Sequence, residues 1–233
     1  MRRKWLLMSL AVGIMATGCV SLPPAEKTFH VVSKYVDRPL KVDAQMSDPA
    51  WGDAVEYALL EADKLEQLPP VIADAIRRTK HGTDVRAKVL HDKDHLYIGF
   101  RIENDDIWAG RRQDQEHLYR HGDCMEVFLK PLHSNSYLEL YANASGNKTT
   151  FYFRSRSFSY GRFHEDQSLL PGLLQVYSHV DGTLNNSEDR DRGWTTVMVI
   201  NRDELAKQLG VPLDQEHPWT ILLAGYAYSS RKI

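Results

Sequence analysis

Aromatic and polar side chains alternate with apolar ones along residues 137–143. The aromatic and polar positions are Tyr137, Glu139, Tyr141 and Asn143. In an extended strand, side chains two positions apart share a face, so these four would lie together and the apolar residues between them would face a core. Aromatic rings stack on the C–H face of a sugar, and carboxylate or amide groups pair with its hydroxyls. The segment therefore predicts a carbohydrate-binding surface; an ordinary solvated face with cross-strand tyrosine pairs is the alternative.

A second group of candidates lies in the polar stretch that precedes residue 123. Trp108 follows two aspartates there, and such a setting favours an exposed, stacking role over a core role. Arg111, Arg112 and Arg120 carry planar guanidinium groups that could clamp an acidic or vicinal-diol group. The alternative is a solvated loop in which nearby acidic residues balance the three charges.

The elements that must position these residues read mostly as strands. Alternating apolar and polar residues with period two recur in eight segments: Val85–His91, Leu96–Ile102, Cys124–Leu129, Tyr137–Asn143, Thr149–Arg154, Leu173–Val180, Trp194–Ile200 and Trp219–Tyr228. Helical signals are limited to a turn at 48–54 and a short helix at 203–209 ended by Gly210. The pattern predicts an all-β chain folded as an antiparallel β-sandwich. Residues 59–83 lack a clear period and read equally well as a helix or a surface excursion.

The N-terminus has the pattern of an export signal. A cationic start at residues 2–4 precedes an apolar run from Leu6 to Met15, which is too short to span a bilayer. The run ends at Ala16-Thr17-Gly18-Cys19, which resembles the lipobox of bacterial lipoproteins. We therefore expect a signal peptide at 1–18, a lipidated tether at 19–28 and one domain at 29–233, anchored through Cys19 to the bacterial outer membrane. Cleavage that leaves Cys19 as a free thiol is the alternative.

Charge and cysteine content exclude several classes of protein. With 29 basic and 31 acidic residues among 233, the net charge is −2, so no overall positive field would attract nucleic acid. Removing residues 1–18 takes away three cations and leaves −5, so attachment to a membrane would depend on lipid and not on charge. Two cysteines cannot form a disulfide scaffold, and Cys124 reads as a small buried residue at the start of a strand.

Several phrases, taken in order, resemble the family 9 carbohydrate-binding modules. They are Leu40–Ala44 with Asp48–Ala54, Val85–Asp92 with His95–Phe100, Asn104–Ile107, Asp123–Leu129, Asp191–Thr195 and the strand from Trp219. The resemblance implies a β-sandwich whose ligand lies between two aromatic side chains, one of them just before the strand that carries Asp123 and Glu126. Tyr119 is the nearest candidate. Two positions depart from the family: Val197–Val199 stands where a Glu is usual, and Gly225 where an Arg is frequent.

Metal and cofactor signals are few. The family resemblance implies a structural Ca²⁺, to which Asp105 and Asp106, or Asp189 and Asp191, could contribute oxygens, although turn chemistry also accounts for these residues. His91 and His95 flank a hairpin turn, where alternation directs neighbouring side chains to opposite sides, so a metal site formed by the two histidines is not favoured. No other cofactor is predicted, apart from the haem considered next.

Catalytic motifs are missing from the sequence: it shows no nucleophile paired with a base, no zinc helix, no phosphate loop and no Rossmann turn. We therefore predict carbohydrate binding without cleavage, by an anchored lipoprotein that supports polysaccharide capture or catabolism. A haem b or electron-transfer module is the first alternative, with Met125 and Met198 as the axial candidates. A glycoside hydrolase is the second, with Asp123, Glu126 and Glu139 as the carboxyl groups.

Overall fold

The computed structural model describes residues 2–6, 30–59, 84–110, 113–155 and 170–228. The uncertain stretch predicted at 59–83 lies almost entirely outside the described residues. The same holds for Cys19, Arg111 and Arg112.

Eleven strands and one α-helix make up the described part of the chain. The strands are β1 (Arg2–Leu6), β2 (Lys34–Tyr35), β3 (Glu56–Leu59), β4 (Val85–His91), β5 (His95–Ile102), β6 (Cys124–Pro131), β7 (Tyr137–Asn143), β8 (Lys148–Phe153), β9 (Leu174–Asp181), β10 (Gly193–Asn201) and β11 (Trp219–Tyr228). The helix is α1 (Arg202–Leu209), and two 3₁₀ turns span Pro49–Asp53 and Leu118–Arg120. All eight predicted strands are present with ends shifted by at most two residues.

Two sheets form the sandwich. The five-stranded sheet has the order β1-β11-β6-β7-β8, and the six-stranded sheet has the order β2-β4-β5-β10-β9 with β3 also paired to β4. All pairs are antiparallel except β2 with β4. The predicted all-β sandwich is confirmed.

The core lies between the sheets and follows the predicted alternation. Leu138, Leu140 and Ala142 of β7 are fully buried in it, opposite Ile98 and Phe100 of β5. Each such aliphatic or aromatic side chain contributes about 1.5–3 kcal/mol through burial. These inward residues fix which side of each strand faces outward.

Helix α1 forms where the sequence predicts a short helix ended by Gly210. The Asn201 side chain accepts a hydrogen bond from the Glu204 N–H at 3.0 Å and caps its first turn. Gly210 ends it with φ of 71°, a left-handed conformation that glycine adopts without strain. Leu205 and Leu209 anchor the helix to the core.

Strand β1 lies along β11, with Arg2 opposite Tyr228 and Leu6 opposite Ala224. These residues fall within the predicted signal peptide. Cleavage after residue 18 would remove β1 and leave β11 as the edge of its sheet. Within the described residues, no helix has the length and apolar character needed to cross a bilayer.

Candidate functional site

The outward side of the five-stranded sheet carries a concentration of tyrosines. Strand pairing places Tyr141 opposite Glu126, and Tyr226 opposite Cys124, all on the side away from the core. Tyr137 and Glu139 lie on the same side of β7. We call the set formed by Tyr119, Tyr137, Tyr141, Tyr226, Glu126 and Glu139 the tyrosine face.

Tyr119 reaches this surface from the 3₁₀ turn at 118–120. Its ring centroid lies 5.7 Å from that of Tyr141 and 6.3 Å from that of Tyr226. The Tyr228 hydroxyl donates a hydrogen bond to the Tyr119 carbonyl, and His117 Nδ1 lies 3.0 Å from the Tyr119 hydroxyl. The loop aromatic that the family resemblance suggested thus meets the strand aromatic that the alternation suggested.

The loop that carries Tyr119 is tied to the edge strand β8. Asp114 accepts hydrogen bonds from the Lys148 backbone N–H at 3.0 Å and from its Nζ at 2.6 Å. The Gln115 side-chain amide donates to Thr150 Oγ1 and accepts from the Thr150 N–H. These bonds join the loop to the sheet through both backbone and side-chain groups. They therefore hold Tyr119 against the rings of Tyr141 and Tyr226.

Buried aromatic rings of β7 and β8 pack together beneath the tyrosine face and form its floor. Phe151 packs edge-on to Tyr141 at 5.5 Å, and Phe153 stacks on Tyr137 at 4.7 Å. Tyr141 is only 3% exposed, and its hydroxyl donates a 2.5 Å hydrogen bond to Glu139 Oε2. Burial, followed by the Glu126 and Glu139 carboxylates, raises the pKa of Tyr141, so this hydroxyl stays protonated.

The accessible part of the tyrosine face is its upper layer. Tyr119, Tyr137, Glu139 and Tyr226 are half-buried, whereas Glu126 and Tyr141 are buried. Burial and the Glu126 carboxylate also raise the pKa of Tyr226. The surface therefore offers neutral aromatic rings and hydroxyls beside one reachable carboxylate, a combination suited to the C–H faces and hydroxyls of a sugar.

Asn143 occupies the predicted side of β7, but it is buried and serves the following turn. Its Oδ1 accepts a hydrogen bond from the Asn147 N–H at 2.8 Å, and its carbonyl accepts from Gly146 at 3.0 Å. Gly146 has φ of 83°, as this tight hairpin requires. The turn sequence 143–147 is typical of an asparagine that bonds its own turn, and this signal could have been read from the sequence.

Trp108 lies at the foot of the same loop and is half-buried. The backbone N–H of Trp108 donates a hydrogen bond to Asp123 Oδ2 at 3.2 Å, and the Trp108 carbonyl accepts one from the Asp123 backbone N–H at 2.6 Å. Asn185 pairs with the backbone of the neighbouring Ala109. These bonds fix the backbone at Trp108 beside the start of β6.

Asp123 has a structural setting. It is almost fully buried; besides Trp108, its carboxylate accepts from Asn104 Nδ2 and the Tyr228 N–H, both at 2.6 Å. Burial raises its pKa well above the usual range, and the charge of Asp106 acts in the same direction. Asp123 thereby joins the loop after β5, the start of β6 and the end of β11. Of the predicted carboxyl candidates, Glu126 and Glu139 lie on the outward face and Asp123 lies beneath the loop.

Sequence reasoning missed three members of the aromatic layer, namely Phe151, Phe153 and Tyr226. Their positions follow from the same period-two alternation on β8 and β11. Tyr226 and Cys124 are paired positions on the side of the sheet away from the core. Cys124 is nevertheless fully buried, as predicted, because it lies in the aromatic cluster of that side. Burial raises the pKa of its thiol. Arg120 places its guanidinium carbon 5.3 Å from the centre of the Tyr119 ring, a cation–π contact at the rim.

The described residues contain no group of three or more histidine, cysteine or acidic side chains arranged to hold a metal ion. Asp191 accepts hydrogen bonds from the Ile107 and Thr183 N–H groups, one on each carboxylate oxygen. His91 Nδ1 lies 2.8 Å from Ser33 Oγ. A structural Ca²⁺ stays a prediction, and no part of the site below depends on it.

Met125 and Met198, the axial candidates for a haem, both lie in the packed core between the sheets. The Met125 sulfur lies where a side chain at Gly225 would begin, because a Cβ there would be 2.7 Å from it. A side chain at position 225 would therefore have to displace Met125, so glycine suits this position of β11.

Comparisons with known proteins bear on the fold. No protein-family model matches the sequence, and no curated protein is similar to it at the sequence level. Among solved structures, a provisionally assigned carbohydrate-binding protein from Bacteroides uniformis is similar with a TM-score of 0.59 and 13% identity. That similarity covers 86% of this chain and 91% of the other, and at this identity it supports the shared fold alone.

Two structures of a family 9 carbohydrate-binding module from Caldicellulosiruptor kristjanssonii are more distant. The complex with glucose has a TM-score of 0.42 and 11% identity, and covers 84% of this chain and 86% of the other. The complex with cellotriose has a TM-score of 0.40 and 11% identity, and covers 83% of each chain.

Proposed function

We propose that the tyrosine face binds a neutral saccharide without cleaving it. The observation that carries the proposal is the layered arrangement of the site. Half-buried Tyr119, Tyr137, Tyr226 and Glu139 lie on the outward side of the sheet together with the buried rings of Tyr141, Phe151 and Phe153. A sugar could stack on the upper rings while the Glu139 carboxylate accepts hydrogen bonds from its hydroxyls.

The fold supports the same proposal. The Bacteroides uniformis protein with which this chain shares its architecture is itself described as a carbohydrate-binding protein, although fold alone does not fix function. Glu126 is buried under the rings, so it is placed to polarise the tyrosines and not to attack a glycosidic bond.

Calorimetry with a panel of neutral saccharides, such as glucose and cellotriose, tests the proposal. We expect Tyr119→Ala to weaken binding by about tenfold or more, because loss of one stacking ring removes about 1–3 kcal/mol at a binding hot spot. Glu139→Gln should weaken it less. Tyr177→Ala is the matched control: Tyr177 is an exposed tyrosine on the six-stranded sheet. Equal affinity of Tyr119→Ala and the parent protein would refute this site.

We further propose that the chain is a lipoprotein of the bacterial outer membrane, anchored through Cys19, and that it holds polysaccharide near the cell for capture or catabolism. The support is the cationic, apolar and small-residue order of residues 2–19. Labelled palmitate should be incorporated into the full chain and not into Cys19→Ala. Unlabelled parent protein, or the same labelling in both chains, would refute the anchor.

A further inference from the structure

The outward side of the six-stranded sheet holds a second site of different chemistry. A segment from Val36 to Ala54 covers one part of this side and packs on Leu90, Tyr97 and Val197. The uncovered part is an open cleft of about 220 Å³ bordered by β3, β4 and β5. We call it the cationic cleft; its main lining residues are Arg86, Lys88, Arg101, Glu56, Met46 and Trp51.

Positive charge is concentrated in the cationic cleft. Arg86 and Arg101 are directly opposite each other on β4 and β5, and like charges at such paired positions are destabilising. Arg86 has an ion pair with Asp84 at 2.7 Å, but within the described ranges no carboxylate pairs with Arg101. The exposed Arg101 guanidinium therefore has its donors available to a ligand.

Lys88 adds a third cation that is held in place. Its Nζ donates a 2.9 Å hydrogen bond to the Trp51 carbonyl and lies 3.9 Å from a Glu56 oxygen. Three cations and one carboxylate, Glu56, line the cleft, while Asp84 and Glu103 act on Arg86 from outside the lining. Such a local excess of positive charge favours an anion in the cleft.

The cationic cleft also has an apolar wall. Gly99 lies on β5 two residues before Arg101, and a Cβ at this position would overlap the Met46 sulfur and lie 3.1 Å from Trp51 Cη2. The missing side chain allows Met46 and the edge of Trp51 to lie against the strand beside the guanidinium groups. A ligand in the cleft would therefore meet an apolar surface on one side and charged donors on the other.

We propose that the cationic cleft binds the carboxylate of an acidic sugar, such as a uronate unit. A guanidinium fork matches a carboxylate through two parallel hydrogen bonds, and the apolar wall suits the C–H face of the same ring. The cleft is smaller than the roughly 300–1,000 Å³ of sites for drug-sized ligands, which agrees with a single sugar unit. This site goes beyond the proposed neutral-sugar function because it lies on the opposite sheet and depends on charge.

The test uses the full chain and sodium glucuronate, with glucose and acetate compared at constant ionic strength in calorimetry. We expect glucuronate to bind more tightly than acetate, and Arg101→Gln to weaken glucuronate binding by at least about tenfold, which matches the loss of one charged hydrogen bond. Arg101→Lys should restore only part of the affinity, since an ammonium cannot make the paired bonds. Lys93→Gln is the matched control: Lys93 is an exposed lysine at the hairpin turn, roughly 20 Å along β4 from Arg86.

The following results would overturn the proposal. They are unchanged glucuronate affinity in Arg101→Gln, acetate binding as tightly as glucuronate, and complete displacement of glucuronate by millimolar inorganic phosphate. Weakening of glucuronate binding by Tyr119→Ala, without an effect of Arg101→Gln, would move the acidic sugar to the tyrosine face and also overturn it. Failure of the neutral-sugar proposal would appear separately, as no binding of neutral saccharides by the parent protein.

Discussion

The tyrosine face and the cationic cleft are the outward sides of two sheets that share one core, yet they are built by opposite means. On the tyrosine face, rings from a loop and from three strands pack on one another until Tyr141 and Glu126 are buried. In the cationic cleft, Arg86 and Arg101 lie side by side in solvent and the strand between the cleft walls carries glycine.

The difference shows how far pleating determines an outer surface. Alternation supplies an outward face on each sheet, and the connecting segments then decide how much of it is covered. The 113–123 loop packs against the rings of one face, whereas the 36–54 segment leaves part of the other face uncovered. Four substitutions test whether the two sites are independent.

Asp123→Asn should have the largest effect, on the tyrosine side. The amide keeps one acceptor oxygen and turns an NH₂ group toward donors that Asp123 now satisfies, including the Tyr228 N–H. We expect a loss of about 3 kcal/mol in the free energy of unfolding, since each buried donor left without an acceptor costs about 1–3 kcal/mol. Urea unfolding measures it, and glucuronate binding by the folded fraction should persist. An unchanged midpoint would contradict this structural role.

Gly99→Val tests the cationic side. The added side chain must displace the Met46 sulfur and the Trp51 edge, and overpacking of this kind costs about 1–3 kcal/mol. Thermal unfolding should occur at a lower temperature and glucuronate affinity should fall, while neutral-sugar affinity stays as in the parent. Loss of both affinities together would show that the two faces are coupled.

Asp48, in the segment beside the cationic cleft, should make the free energy of unfolding depend on pH. Its carboxylate accepts two 2.8 Å hydrogen bonds from Arg38, which chiefly lower its pKa, and others from Lys41 and Ala50 N–H groups. A lowered pKa in the folded state means that this stabilisation is full above the unfolded pKa of about 3.9 and is lost as pH falls further.

Asp48→Asn should therefore lower the free energy of unfolding by about 1.5 kcal/mol at pH 7. The difference in unfolding free energy between the variant and the parent should be smaller at pH 3. Chemical unfolding at the two pH values measures it. A gap of constant size at both would contradict the assignment to the charged carboxylate.

Tyr141→Phe should have the smallest effect. It removes the hydroxyl that donates to Glu139 but keeps the ring that supports Tyr119. We expect about 1 kcal/mol of destabilisation and a slight change in neutral-sugar affinity, because half-buried Glu139 can bond to water instead. Tyr177→Phe, which removes an exposed hydroxyl bonded to Gln175, is the matched control and should have no measurable effect. A loss above about 3 kcal/mol would mean that the hydroxyl anchors the floor.

Much of the fold could be predicted because its signals are local. The bounds of β4, β7 and β11 follow from alternation alone, and α1 is delimited by Asn201 and Gly210. The short strands β2 and β3 were missed because two to four residues are too few to show a period. Asn143 shows another limit: alternation gives its side of the strand, while the turn after it determines what its side chain binds.

The sequence by itself determined the fold class and the side of each strand that faces outward, because side-chain direction in a strand repeats every two residues whatever the neighbours are. Only the tertiary structure decided which outward residues meet. Tyr119 joins Tyr226 across more than 100 positions, and Arg101 lies beside Arg86 because the hairpin register places them together. Strand order and register are set by packing between distant segments, and these contacts leave no periodic trace in the sequence.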